Sequence, residues 1–173
     1  MADTKDWTWV LERPCPDCGF DAGALDRSAI GTTARDVAAA FAGFLAAPGV
    51  RDRPAPEVWS PLEYGCHIRD VYRIMRFRLG LMLDEHEPTF PNWDQDATAV
   101  EDRYDEQDPA VVAAELAAAA ALVADAFDAV RDDQWSRKGF RSNGSIFTVE
   151  SLGRYMDHDL VHHVWDIDPT RLT

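Results

Sequence analysis

At 173 residues, 46% of them apolar and 28% charged, the chain has the size and composition of one globular domain with enough bulk to bury a core. Acidic residues outnumber basic ones 31 to 17, and the formal net charge of −14 repels phosphate backbones and anionic membrane surfaces, so neither nucleic acid nor a membrane is expected as a partner. The three cysteines are too few for a disulfide scaffold, Asp3, Lys5 and Asp6 interrupt any signal-peptide pattern, and no 18-residue apolar segment is expected, which reads as a cytoplasmic protein.

Residues 1–27 read as an extension packed on a helical domain that occupies 28–173. They hold Trp7, Trp9 and the turn Cys15-Pro16-Asp17-Cys18-Gly19-Phe20. This reads first as a tight proline and glycine turn that lays the two indoles on the domain. The same Cys spacing also makes half of a zinc knuckle, or a redox pair. The first helix is predicted from Ser28 or Thr32 to Ala47, on the spacing of Ile30, Val37, Phe41, Phe44 and Leu45, with Pro48-Gly49 as its stop.

The second helix has the clearest start: Ser60 at the N-cap, Pro61 at the first helical position and Glu63 placed to close a capping box. The pattern runs to about Glu85. His67 lies near the middle of its apolar stripe, where it serves either as a satisfied core histidine or as a ligand. Arg78 lies three turns further along that stripe and calls for a carboxylate or an anionic ligand. Cys66 points elsewhere and reads as a small buried thiol.

Glu87 to Gln107 is long for a helix connection. About twenty extended residues can run back along a helix roughly 36 Å long, so the third helix can start at the same end as the second. That helix is predicted from Asp108-Pro109 to about Val130, with Val112, Leu116, Ala119, Val123, Phe127 and Val130 as its stripe. From Gln134 to Phe147 the helical period breaks. Asn143-Gly144 signals a short hairpin, Arg137, Lys138 and Arg141 make one locally basic spot, and Thr148 caps the fourth helix. The order helix, helix, crossover, helix, hairpin, helix gives an all-α four-helix bundle.

The fourth helix carries His158 and His162, four residues apart, so their rings lie one above the other and can share a metal ion. Ser151, Tyr155 and Trp165 fall on the same side, and His163 points away from it. Spacing of this kind more often joins two unrelated histidines than a metal pair. A third ligand from another helix, for which His67 is the best candidate, would make a three-histidine site with an open position.

The block from Trp59 to Asp70, with His67 near its end, and the block from His158 to Ile167 resemble, in order, separation and helix placement, the two signature blocks of the DinB/YfiT-like superfamily of metalloenzymes. The resemblance covers about residues 28–168, and Trp7 to Phe20 is similar to an extension found in a subset of these proteins. It implies an up-down-down-up four-helix bundle and a divalent ion, zinc or nickel, held by His67, His158 and His162. Some members are S-transferases or isomerases that use a low-molecular-weight thiol. Mycothiol would suit the Ala-, Asp- and Arg-rich composition of a GC-rich codon background.

Three functions follow as expectations. A metal-dependent thiol S-transferase or isomerase would bind a thiol, lower its pKa and present the thiolate to a small-molecule electrophile. Arg78, Arg141, Tyr155 and Trp93 are candidate substrate contacts, and Asp70 or Asp159 could orient a ligand imidazole through its second nitrogen. A metal-dependent hydrolase would use the same ion on water, and a metal or small-ligand binding module would use it without catalysis. Polar helix faces and the two N-terminal Trp residues leave a homodimer open.

Overall fold

The computed structural model describes residues 7–171; residues 1–6 and 172–173, at the outer ends of the two predicted units, lie outside the described residues. Four long helices carry the fold: α1 (Ile30–Leu45), α2 (Pro61–Asp84), α4 (Pro109–Asp128) and α5 (Val149–Ile167). A short helix, α3 (Gln95–Glu101), and three short strands, β1 (Thr89–Phe90), β2 (Lys138–Arg141) and β3 (Ile146–Thr148), fill the connections. Both α4 and α5 pack against α1 and α2, which places one core among the four long helices.

The caps act where the sequence puts them. Ser60 accepts from the Glu63 amide while the Glu63 carboxylate accepts from the Ser60 amide, and Arg53 pairs with that carboxylate. Thr148 and Ser151 close the same kind of box on α5, and Asp108 caps α4 ahead of Pro109. Each such cap stabilises its helix by about 1 kcal/mol. Close packing of α5 depends on Gly153, since a Cβ there would stand 2.6 Å from Ile30 Cδ1 and 3.0 Å from Phe127 Cε1.

The expected all-α architecture is corrected by a three-stranded sheet. The predicted hairpin forms β2 and β3, with Gly144 at φ +99°, and β1 from the crossover joins it in parallel, Thr89 opposite Phe140 and Phe90 opposite Arg141. Two residues between Pro88 and Pro91 are too few to show a strand period. What makes them a strand is tertiary pairing, through Phe140 N–H to Pro88 C=O and Ser142 N–H to Phe90 C=O, both at 2.9 Å. The crossover is also not simply extended, because Asp94 caps α3 by accepting from the Ala97 amide. Its far end is tied to α2 by Tyr104, whose hydroxyl donates to Asp70 at 2.7 Å.

A second correction concerns apolar length. By length and composition α4 is apolar enough to cross a membrane, contrary to the expectation that no such segment occurs. In the fold its stripe of Val112, Leu116, Ala119, Ala120, Val123, Ala124 and Phe127 is buried against α1 and α2, and the alanines permit close approach.

Candidate metal centre

His67 projects from α2 into a fully buried position. Its ring stacks on Trp93 at 5.3 Å, packs against Trp59 at 5.4 Å and meets the His163 ring edge-on at 4.8 Å. From α5, Asp159 stands between the two imidazoles, 3.6 Å from His67 Nε2 and 3.2 Å from His163 Nε2. One donor atom from each of His67, Asp159 and His163 lies within 4.8 Å of the others. Neither ring nitrogen of His67 has a hydrogen-bond partner among the described residues. A buried imidazole with two orphaned nitrogens, beside a carboxylate and a second imidazole, is a donor set suited to a divalent ion.

Burial and charge set the protonation of these groups. Burial pushes the His67 pKa down, against the pull of Asp159. Burial works in the same direction on His163, but its bonds to Asp159 and Asp166 outweigh it and raise the pKa to about 9. Burial alone would raise Asp159, yet the two histidines hold it far below the ordinary carboxylate range. Asp166 Oδ2 accepts from His163 Nδ1 at 2.8 Å, which orients the ring so that Nε2 faces Asp159.

His158 and His162 lie elsewhere. Their donor atoms gather with the thiols of Cys15 and Cys18, all four within 4.8 Å of one another. The expected set of His67, His158 and His162 is therefore divided between two clusters. The reason is helix rotation. At roughly 100° per residue, Asp159 and His163 lie roughly 40–80° from the buried stripe of α5, on the side that meets α2, whereas His158 and His162 lie roughly 140–180° from it and face the N-terminal segment. That stripe, Leu152, Met156, Leu160 and Val164, was readable in the sequence, and Asp159 and His163 repeat the four-residue spacing one position on. His163, expected to point away from the His158 and His162 face, does so, and it is a member of the α2-facing cluster. Asp159, expected as an orienting group, is a candidate donor, and Asp166 takes the orienting role that spacing did not suggest. Asp70 is engaged by Arg69, Arg73 and Tyr104.

Of the other candidate residues, Trp93 stacks on His67, while Arg78, Arg141 and Tyr155 form a group of their own. Arg78 is buried, with its guanidinium 5.0 Å over the Phe90 ring and one bond to the Pro91 carbonyl at 3.0 Å. Arg141, also buried, contacts Asn143, Ser145 and, at 3.5 Å, the Tyr155 hydroxyl. Neither arginine has a carboxylate partner among the described residues. Burial, and then the charge of Arg141, bring the Arg78 pKa down to about 10. Tyr155 stands one helical turn before Asp159 on α5, which links this group of two cations and a phenol to the donor cluster.

The fold and the site define a helical-bundle protein with candidate metal donors on facing helices. The family model of the DinB superfamily matches residues 31–167, and the chain belongs to that superfamily. Among solved structures it is similar to YfiT from Bacillus subtilis, described as a probable metal-dependent hydrolase with an unusual four-helix bundle topology, with a TM-score of 0.73 and 21% identity over 83% of this chain and 84% of that one. At that identity the likeness carries the fold. No curated protein matches the sequence.

Proposed function

We propose that the protein is a metal-dependent hydrolase of small anionic molecules, with a divalent ion such as zinc or nickel held by His67, Asp159 and His163. The observation that carries the reading is the pair of orphaned nitrogens on buried His67, facing a carboxylate and a second histidine whose other nitrogen is already fixed by Asp166. Two imidazoles and one carboxylate leave coordination positions open, and a bound ion would supply Lewis acidity and lower the pKa of a nucleophile there. The residues of the chain do the rest. Trp59 and Trp93 keep the His67 ring in place and water away from its faces. Arg78 and Arg141 offer an anionic group two buried cations that have no carboxylate partner among the described residues, with Tyr155 as a further donor.

A second reading, transfer of a low-molecular-weight thiol of the mycothiol type, is favoured by one observation. The carboxylates around the cluster are engaged, Asp159 as donor, Asp166 by His163 and Asp70 by Arg69, which leaves a water nucleophile poorly supplied with a base. A thiol whose proton is lost to solvent as its sulfur binds the ion would need none in the attack. The net charge of −14 remains the argument for a small molecule rather than nucleic acid.

The test is an activity screen of metal-loaded protein on small carboxylate- and phosphate-bearing esters and amides, with and without added thiol. Turnover without thiol, abolished in His67→Ala and carrying a raised KM with little change in kcat in Arg78→Met, is the expected result. Turnover that requires thiol selects the second reading. Full activity in His67→Ala refutes both.

A further inference from the structure

We propose that Cys15, Cys18, His158 and His162 form a second, closed metal centre, a Cys2His2 site for zinc that fastens the N-terminal segment to α5. It is separate from the open cluster of His67, Asp159 and His163 and does not depend on the activity assigned to that cluster.

The geometry is that of a knuckle facing a helix. Cys15 N–H donates to the Phe20 carbonyl at 2.9 Å and Gly19 N–H to the Cys15 carbonyl at 3.0 Å, while Gly19 takes φ +73°, so the turn brings both thiols to one side. On α5 the two histidines are one turn apart. Cys15 Sγ lies 3.6 Å from His162 Nδ1. Tetrahedral ligands at about 2.0–2.3 Å from an ion stand roughly 3.3–3.8 Å apart, so this edge of the site already has the required length.

An independent observation points to a ligand. His158 is buried, and its Nε2 has no hydrogen-bond partner among the described residues. A buried histidine edge left unpaired next to two thiols is costly unless something occupies it. The surroundings are apolar: Trp7 packs 6.2 Å from His158 and 5.8 Å from His162, and Phe20 meets His158 edge-on at 5.8 Å. Two thiols able to bind as thiolates, two imidazoles and a shell of aromatic rings match the four-coordinate structural class of zinc site, whereas the other cluster offers only nitrogen and oxygen donors. The carboxylate of Asp166, 3.8 Å from His162 Nε2, stands where it can orient that ring.

Binding is balanced by proton release: two S–H bonds give their protons to solvent as two zinc–thiolate bonds form, and the histidines bind neutral. The result joins residues 147 apart in sequence, Cys15 and His162.

The experiment uses the full untagged chain, purified under reducing conditions and loaded with zinc alone. X-ray absorption of the wild type should show about two sulfur scatterers at about 2.3 Å on one of two zinc ions. The Cys15→Ser, Cys18→Ser double variant should lose one equivalent of zinc and all of the sulfur signal, whereas His67→Ala should lose the other equivalent and keep the sulfur. A zinc shell without sulfur in loaded wild-type protein overturns the proposal, even if the double variant fails to fold. Full zinc stoichiometry in the double variant overturns it as well.

Discussion

Raising the pH of the metal-free protein from about 7 to about 8.5 should destabilise it, because His163 must then give up a proton that the fold holds. Its pKa is raised from 6.5 to about 9, by Asp159 and Asp166 acting against burial. The protonated form therefore contributes stability that is fully present below about 6.5 and is lost as the pH climbs through about 9. Within that window the folded chain keeps one proton more than the unfolded one, which corresponds to about 1.4 kcal/mol per pH unit, or about 2 kcal/mol in all. For a chain of this length that is a fall in Tm of roughly 4–8 °C. Stopping near pH 8.5 stays below the ordinary thiol value of 9.0, above which Cys18, raised to about 11 by burial, would add a slope of its own. Asp157, whose burial pushes its carboxyl far up, slopes in the same direction, so the comparison that isolates His163 is with His163→Gln. On the acid side the sign reverses. His67, His162 and His158, the last lowered to about 4, are kept neutral by burial, so the unfolded chain takes up more protons below about pH 6.5 and stability falls again. Thermal melts after chelation should trace a maximum near pH 6.5. Equal slopes for wild type and His163→Gln between pH 7 and 8.5 would refute the placement of His163 between two carboxylates.

Two further outcomes follow from the same contacts. Asp166→Asn should weaken divalent-metal binding at the open cluster by about 10- to 100-fold, read by competition with a chromophoric chelator, since the hydrogen bond that fixes His163 is altered. Gly153→Ala should cost about 1–3 kcal/mol, seen as a lower Tm, because the new methyl group meets Ile30 and Phe127 with no room to spare.

The helices could be read because their signals are local. Ser60-Pro61-Leu62-Glu63 and Asp108-Pro109 specify their own starts whatever lies around them, and Asn143-Gly144 specifies its own turn. Strand β1 could not be read, since Thr89 and Phe90 become a strand only through carbonyls and amides that β2 supplies. His67 and the His158 to Asp166 stretch are singled out by spacing together with the resemblance to the superfamily's two blocks, but which of two adjacent four-residue pairs faces α2 depends on how α5 is rotated. That rotation is set by Leu152, Met156, Leu160 and Val164 entering the core. Arg78 and Arg141, by contrast, are 63 positions apart in sequence, and only the sheet brings them to one place.

The two donor rows of α5 also restrict how this chain can change. Each row is read by a different partner, one by α2 and the other by the N-terminal turn, and the rows differ by a single residue. Inserting or deleting one residue between the Thr148 cap and His158 would turn both rows, together with Leu160 and Val164, by roughly 100° relative to the N-terminal part of the helix, breaking the stripe that docks it and misaligning both clusters at once. Length variation among relatives that keep both donor sets should therefore be confined to the loops, with the distance from the cap to the first histidine conserved even where the residues between them are not.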